Sequence, residues 1–276
     1  MNFDDVGFAY DCTNNEGWLG TTEDTFIGHL EYDADGCFVA EKDGRKVGIC
    51  VATKYKGTGF IGMLIVIENE RGKGYGSQLF RKSIQYLNDN NIRNIYLDGD
   101  LDAVHIYEKY GFRKVCRSLR FIGRIEANQS DLIRRAEERD VVKICGLDRG
   151  LFGDDRGYYL RRRYSLFPEL FFVAEIDDRI TGYICAQPGN GLIAVGPWAS
   201  ADHAVNPLDL LKSLSIQTGE SDLRIGVLES NKNAAEIMGS LKSFKENMYS
   251  WRMVLGDSDR LGIDDRLFAV GSGAKG

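Results

Sequence analysis

Several absences narrow the reading before any motif does. There is no basic excess: 35 Lys and Arg stand against 41 Asp and Glu, a formal net charge of −6. The sequence therefore carries no electrostatic footprint for nucleic acid, and none is expected as a partner. No CxxC pair occurs, and no histidine stands at zinc-finger spacing from Cys12, Cys37, Cys50, Cys116, Cys145 or Cys185. That argues against a metal site and a disulfide framework, and it predicts buried, reduced thiols in a cytoplasmic protein. The longest apolar run, residues 60–67, is far too short to span a bilayer, so no membrane partner is expected. The opening Met-Asn-Phe-Asp-Asp is acidic and unlike a signal peptide. No GxxxxGK[ST] occurs, which removes a P-loop.

What is present is a repeat. Residues 38–52 read FVAEKDGRKVGICVA and residues 172–186 read FVAEIDDRITGYICA, with Phe, Val, Ala, Glu, Asp, Arg, Gly and Ala coinciding at a constant offset of 134 (38 to 172). Each copy has the strand, Asp-containing turn and strand of a β-hairpin. In the first half a third strand follows over 60–67, then a helix over 77–88 with Leu79, Phe80, Ser83, Ile84 and Leu87 inward. A strand over 92–97 and a helix over 103–110 come next, with Gly111 as a left-handed cap. The second half repeats the order: strand 191–195, helix 207–215, strand 223–228, helix 234–241. It also begins with a strand-like 132–136 and a helix at 140–147, whereas the first half starts directly at a helix over 3–14. Two α/β (α+β) domains of similar plan are expected, at 1–124 and 125–276.

Between the third strand and its helix lies Arg71-Gly72-Lys73-Gly74-Tyr75-Gly76-Ser77. A helix start offers backbone N–H groups without intrahelical partners and the positive end of the dipole, and glycines let a phosphate approach closely. By itself this is either a pyrophosphate cradle or a plain glycine turn, and its GxGxG spacing does not fit the dinucleotide fingerprint GxGxxG.

The surrounding order resembles the GNAT superfamily of acyl-CoA N-acyltransferases. Its signature [Q/R]-x-x-G-x-[G/A] follows a strand with Val five residues earlier; here Val66 precedes Arg71, Gly74 and Gly76. Its second signature, A-x-x-[LI]-Y-x-[KR]-x-G-F, is filled by Ala103, Ile106, Tyr107, Lys109, Gly111 and Phe112. The resemblance is clear over about residues 37–115 and fainter over the second half, so the chain looks like the tandem subgroup with a degenerate second domain. It implies two GNAT-like domains, each a mixed, mostly antiparallel twisted sheet flanked by helices. It implies acetyl-CoA as co-substrate, gripped by Arg71, Gly72, Lys73, Gly74, Tyr75, Gly76 and Ser77. It places pantetheine along Leu64, Ile65 and Val66, near Tyr107 and Lys109, with Tyr107 protonating the departing thiolate. A departure from the family pattern is Leu101-Asp102, where an Asn often precedes the second signature.

At the same offset the second half has Val205-Asn206-Pro207-Leu208-Asp209-Leu210 in place of the glycine turn, and aligning Leu97 with Leu228 puts Met238 in place of Tyr107. It is expected to wall the acceptor pocket or to stabilise the first domain. Trp18, Trp198 and Asp155 are candidate substrate contacts, and Arg161-Arg162-Arg163 a solvated helix face. Glu16, Glu31, Asp98 and His105 are conceivable general bases, none assigned. The expected activity is acetyl transfer from acetyl-CoA to a small-molecule or peptide amine by direct attack, in a monomer or homodimer. A non-catalytic acyl-CoA sensor and an interaction scaffold are the alternatives. Polyamines, amino acids, aminoglycoside-like compounds and protein lysines all stay open as acceptors.

Overall fold

In this computed structural model, which describes residues 1–202 and 204–276, the first half runs α1 (Val6–Asn15), α2 (Glu23–Asp33), β1 (Cys37–Lys42), β2 (Arg45–Lys54), β3 (Thr58–Val66), α3 (Tyr75–Asp89), β4 (Asn94–Gly99), α4 (Val104–Lys109) and β5 (Arg113–Gly123). The second half runs β6 (Ile133–Arg135), α5 (Asp140–Phe152), α6 (Gly157–Leu166), β7 (Phe171–Ile176), β8 (Arg179–Pro188), β9 (Ile193–Ser200), α7 (Pro207–Thr218), β10 (Leu223–Leu228), α8 (Lys232–Ser240), β11 (Phe244–Leu255) and β12 (Leu267–Ala269).

The repeat is reproduced in backbone detail. β1/β2 and β7/β8 are antiparallel hairpins, and each carries a register shift at the same place, Ala40/Glu41 and Ala174/Glu175. Their turns put Asp43 at φ 50° and Asp177 at φ 48°. Asp tolerates the left-handed region better than most side chains, which is why it recurs there.

The two halves are stitched together rather than set side by side. The sheet order is β1-β2-β3-β4-β11-β5-β10-β9-β8-β7-β6, with β12 beside β9. Thus β11, from the second half, lies between β4 and β5, while β5, from the first half, completes the second half's sheet against β10. Each half contributes the strand that covers the other's edge, which leaves neither edge unpaired.

Helices cover both faces. Leu79, Phe80 and Leu87 of α3 pack with Ile61, Ile95 and Leu97 on one face of the first half, and Ala9, Phe26 and Leu30 of α1 and α2 pack with Ile49, Val51 and Ile65 on the other. α7 and α8 cover one face of the second half and α5 and α6 the other. Among the described residues no helix is long and apolar enough to cross a membrane.

Two features of the sheet prepare the site. β3 and β4 run parallel and pair only at Thr58–Phe60 with Asn94–Tyr96, then diverge. A bulge in β3, where the β2 register shifts and Met63 takes φ 54°, bends that strand away from β4. Beyond β12, the Val270 N–H donates to the Gly226 carbonyl (2.8 Å), and residues 271–276 cross to β3. There Ala274 lies so close to Gly62 that a Cβ on Gly62 would meet its Cα at 2.6 Å. The Tyr55 hydroxyl then donates to the Lys275 carbonyl at 2.6 Å and Arg156 to the Gly276 carbonyl at 2.8 Å.

Candidate active site

The divergence of β3 and β4 opens a cavity of about 320 Å³. On the first-half side it is lined by Trp18, Gly62, Leu64, Asp100 and Tyr107, and on the second-half side by Gln187, Arg224, Met248 and Lys275. The loop between α1 and α2 roofs it. That loop is held by the β8/β9 turn: the Asn190 N–H donates to the Leu19 carbonyl (2.7 Å), and the Gln187 amide to that of Gly20 (3.3 Å). Residues of the second half are therefore part of the cavity wall.

At one side of the divergence stands the start of α3. Gly74 caps it at φ 90° with no side-chain hydrogen bond, and Gly72 has φ 76°. Both are exposed, and nothing lies within 4 Å of a Cβ added to either, so the constraint on them is conformational rather than steric. The N–H groups of the first turn are left for an anion. Tyr75, Gly76 and Ser77 form that turn, half-buried. Arg71 is occupied, its Nε donating to the Val66 carbonyl (2.9 Å) and its Nη2 to Glu16. Lys73 donates to the Asn69 carbonyl (2.9 Å) and to Glu70 (3.1 Å).

On the β4 side of β3, residues 61–66 have no strand partner. Leu64 lines the cavity, whereas Ile65 points into the α1/α2 core and pairs with Ile49 in the ladder. Tyr107, on α4, reaches the cavity from the α3 side, its ring 5.1 Å from that of Phe80. It fits tightly, since a Cβ on Gly99 would lie 2.7 Å from the ring. Burial, with smaller contributions from Cys50 and Asp100, pushes the phenol well above its ordinary range. Lys109 is exposed at the end of the same helix.

Of the conceivable bases, His105 is exposed and away from the cavity. Glu31 is engaged by Arg162 (2.9 Å) and Glu16 by Arg71. Asp98 is clamped between Arg252 (2.5 Å) and Arg120 (3.0 Å) and accepts from Ser118 (2.8 Å). Its burial would raise the carboxyl pKa, but Arg252 and Arg120 outweigh it and hold the group below the usual range. Sequence reasoning missed Asp100, which lines the cavity near Tyr107. Burial raises its pKa despite the attraction of Arg120. It also missed Arg120, Arg224 and the 270–275 segment, because only the sheet order brings them to this cleft.

Three expectations are corrected. Trp198 does not meet the cavity: it is fully buried, stacked 5.1 Å from Phe268 in the second-half core. Asp155 lies outside as well, accepting the Gly157 N–H (3.0 Å) and pairing with Lys56 and Arg149. The run 161–163 is not one solvated face. Arg161 is exposed, Arg162 pairs with Asp24 and Glu31, and Arg163 is buried, bonded to the Gly196 carbonyl and lining the cavity. Trp18, by contrast, does border it.

All six cysteines are buried and free. Cys50 sits beside β3, accepts from Ser83 Oγ (3.1 Å), and burial pushes its thiol up to about 12. A thiol so far from ionisation is a poor nucleophile. Cys50→Ala is expected to leave the rate of coenzyme A release within a few-fold of wild type; loss of turnover with acetylated protein trapped on Cys50 in the wild type would overturn direct transfer.

The equivalent cleft in the second half is filled. β9 and β10 pair parallel only over Ile193–Val195 with Leu223–Ile225, as β3 and β4 do, but β12 then packs against β9 where the strands would part. Met238, the counterpart of Tyr107, is 1% exposed within the core. The start of α7 is closed by Asn206, whose side chain accepts the Leu208 N–H (3.1 Å), and by Pro207, which has none to offer.

Comparison with known proteins finds the same family in both halves. Residues 4–112 match the acetyltransferase (GNAT) family and residues 144–269 the acetyltransferase (GNAT) domain. Over 92 residues, 30% of this chain, it is 30% identical to N-alpha-acetyltransferase 30 of Schizosaccharomyces pombe, of which the match spans 61%. It is 22% identical over 242 residues to holothin acyltransferase of a Pseudoalteromonas species, covering 86% of this chain and 79% of that one. Among solved structures, a putative acetyltransferase from Pyrococcus horikoshii superposes with a TM-score of 0.79 at 21% identity, covering 100% of this chain and 94% of that one. A tandem GNAT protein from the clavulanic acid biosynthesis pathway gives 0.64 at 13%, covering 93% of this chain and 96% of that one. These structural likenesses concern the fold.

Proposed function

Because the chain belongs to the GNAT acetyltransferase family and carries two of its domains in tandem, we propose that its first half moves an acetyl group from acetyl-CoA to a primary amine by direct attack. One observation carries the reading: an unpaired strand edge and a buried phenol meet in one cavity, a glycine helix start follows directly on that strand, and all three are missing from the second copy. Gly72, Gly74 and the first turn of α3 hold the pyrophosphate, and the free edge of β3 takes the pantetheine. Tyr107 gives its proton to the departing thiolate, and Asp100 accepts the proton of the amine, directly or through water. Residues 1–124 supply the donor site and residues 125–276 wall the acceptor pocket.

Calorimetry with acetyl-CoA and assay of coenzyme A release over an amine panel test this. Gly74→Ala is expected to weaken acetyl-CoA binding up to about ten-fold, since a Cβ in the left-handed region costs roughly 1–2 kcal/mol that the free loop sheds by relaxing and binding must restore, and 1.4 kcal/mol is a factor of ten. Binding by the variant equal to wild type would remove the cradle. Binding by wild type without coenzyme A release for any amine would instead favour a sensor.

A further inference from the structure

We propose that the acetyl acceptor is a small zwitterion whose carboxylate or phosphate is held by Arg224, so that the second half of the chain selects the substrate of the first. This deepens the acetyltransferase reading and rests on it.

Arg224 stands on β10 opposite Ile122 of β5 and level with Ala194 of β9. Arg120 stands opposite Gly226, so the two arginines are diagonal neighbours on the face that floors the cavity. Arg120 is already paired with Asp98 at 3.0 Å, a carboxylate it shares with Arg252. Arg224 makes no ion pair or hydrogen bond with any described residue, and the charge that acts on it is another cation, Arg120. The α1/α2 loop passes over it at Gly20, where an added Cβ would lie 3.2 Å from Nη1. Burial, seconded by Arg120, presses the guanidinium down to about 10. A half-buried arginine without a counter-charge is costly unless a ligand supplies one, and its planar fork suits a carboxylate or phosphate.

The rest of the cavity points the same way. Arg163 donates to a backbone carbonyl, and the Lys275 ammonium lies 4.2 Å from the Tyr159 ring centroid; neither meets a carboxylate among the described residues. Glu16 and Asp98 are spent on Arg71, Arg120 and Arg252. Asp100 is the lining carboxylate without such a partner, and it lies on the Tyr107 side. β10 is three strands from β4 in the sheet order, about 14 Å at roughly 4.8 Å per strand, and the registers put Arg224 four residues beyond the level of Asp100, about 13 Å along the strands, so the two backbones stand roughly 20 Å apart. Less the reach of both side chains, that spacing suits the ammonium and oxyanion of one small molecule. Polyamines and aminoglycoside-like compounds would bring further positive charge against Arg224 and Arg163, an arrangement that rejects them.

The test uses matched amines that differ in the anionic group: amino acids against their amides, and phosphoethanolamine against ethanolamine. The two arms separate carboxylate from phosphate. Coenzyme A release is read alongside calorimetric binding of the same amines to the protein without acetyl-CoA. For wild type, the anionic member of one pair is expected to bind and turn over at least about ten-fold better. Arg224→Gln should raise its KM about 10- to 100-fold, the worth of a charged hydrogen bond, with kcat largely kept and the uncharged member unaffected. Arg224→Lys should recover part of the loss. Because no internal partner is lost, Arg224→Gln should melt at or above the wild-type temperature; a clear drop would make the residue structural and overturn the proposal. So would equal or better binding of the uncharged or polycationic amines. Failure to bind acetyl-CoA at all overturns the acetyltransferase reading, while the acceptor-binding arm still decides on Arg224.

Discussion

Tyr107→Phe lowers kcat by about 10²–10⁴-fold, the usual worth of a placed proton donor, and leaves acetyl-CoA affinity within a few-fold. The variant keeps the ring that packs on Phe80 and beneath Gly99, so the site keeps its shape and loses only the hydroxyl. The phenol is protonated at neutral pH at its ordinary pKa of about 10; burial raises that value and makes the transfer more uphill, so positioning has to carry it. A group whose pKa is raised stays protonated through the neutral range, so the donor is available at every pH where the amine can attack. A thiolate with a reference pKa near 8.5 then relies on tight positioning for the proton to pass before it leaves. Steady-state release of coenzyme A, with calorimetry of acetyl-CoA on the same preparation, checks both halves. Equal turnover in the two proteins would remove Tyr107 from the chemistry.

Asp98→Ala destabilises the fold by about 3–5 kcal/mol, because removing one member of a buried ion pair leaves the other charge uncompensated. The three side chains are hardly screened: Asp98 is 2% exposed, Arg252 1% and Arg120 7%. They also tie β4, β11 and β5 together, the strands at which the two halves exchange edges. At about 2–4 °C per kcal/mol the melting temperature falls by on the order of 10 °C. The pH dependence has a definite sign. The folded carboxyl pKa is depressed, so the stabilisation is fully present above the unfolded value of about 3.9 and fades as pH falls through the folded value. The gap between wild type and variant in urea melts should therefore be wide at neutral pH and close in strong acid. A gap that stayed constant would mean that the aspartate acts by packing alone. In the variant Arg120 loses its partner beside Arg224, so any acceptor anion should bind more tightly per folded molecule even as the fold weakens.

The hairpin repeat was readable from residues alone down to its turns, since alternation and an Asp in the left-handed region are local properties that recur at 43 and 177. The α3 face was equally legible, with Leu79, Phe80, Ser83 and Leu87 buried as their spacing requires and Ile84 half-buried against the same core. Trp198, a candidate substrate contact by sequence, is instead covered by Phe268, distant in the chain, within the second-half core. Asp155 and Arg161–Arg163 went astray for a related reason: charge in a sequence does not reveal which charges find partners. Arg162 meets Glu31 from another helix, and Arg163 meets a carbonyl on β9.

The sequence by itself determined the two similar folding units, the glycine helix start at residues 72–76 and the loss of that start at Asn206-Pro207, because these are matters of spacing and backbone chemistry within a few residues. Only the tertiary structure decided that β5 and β11 trade places, that β12 fills the second cleft, and that Arg224 faces a cavity shared by both halves. Strand order and ion pairing join residues over a hundred positions apart, as in Asp98 with Arg252, and no local pattern encodes which distant edge a strand will meet.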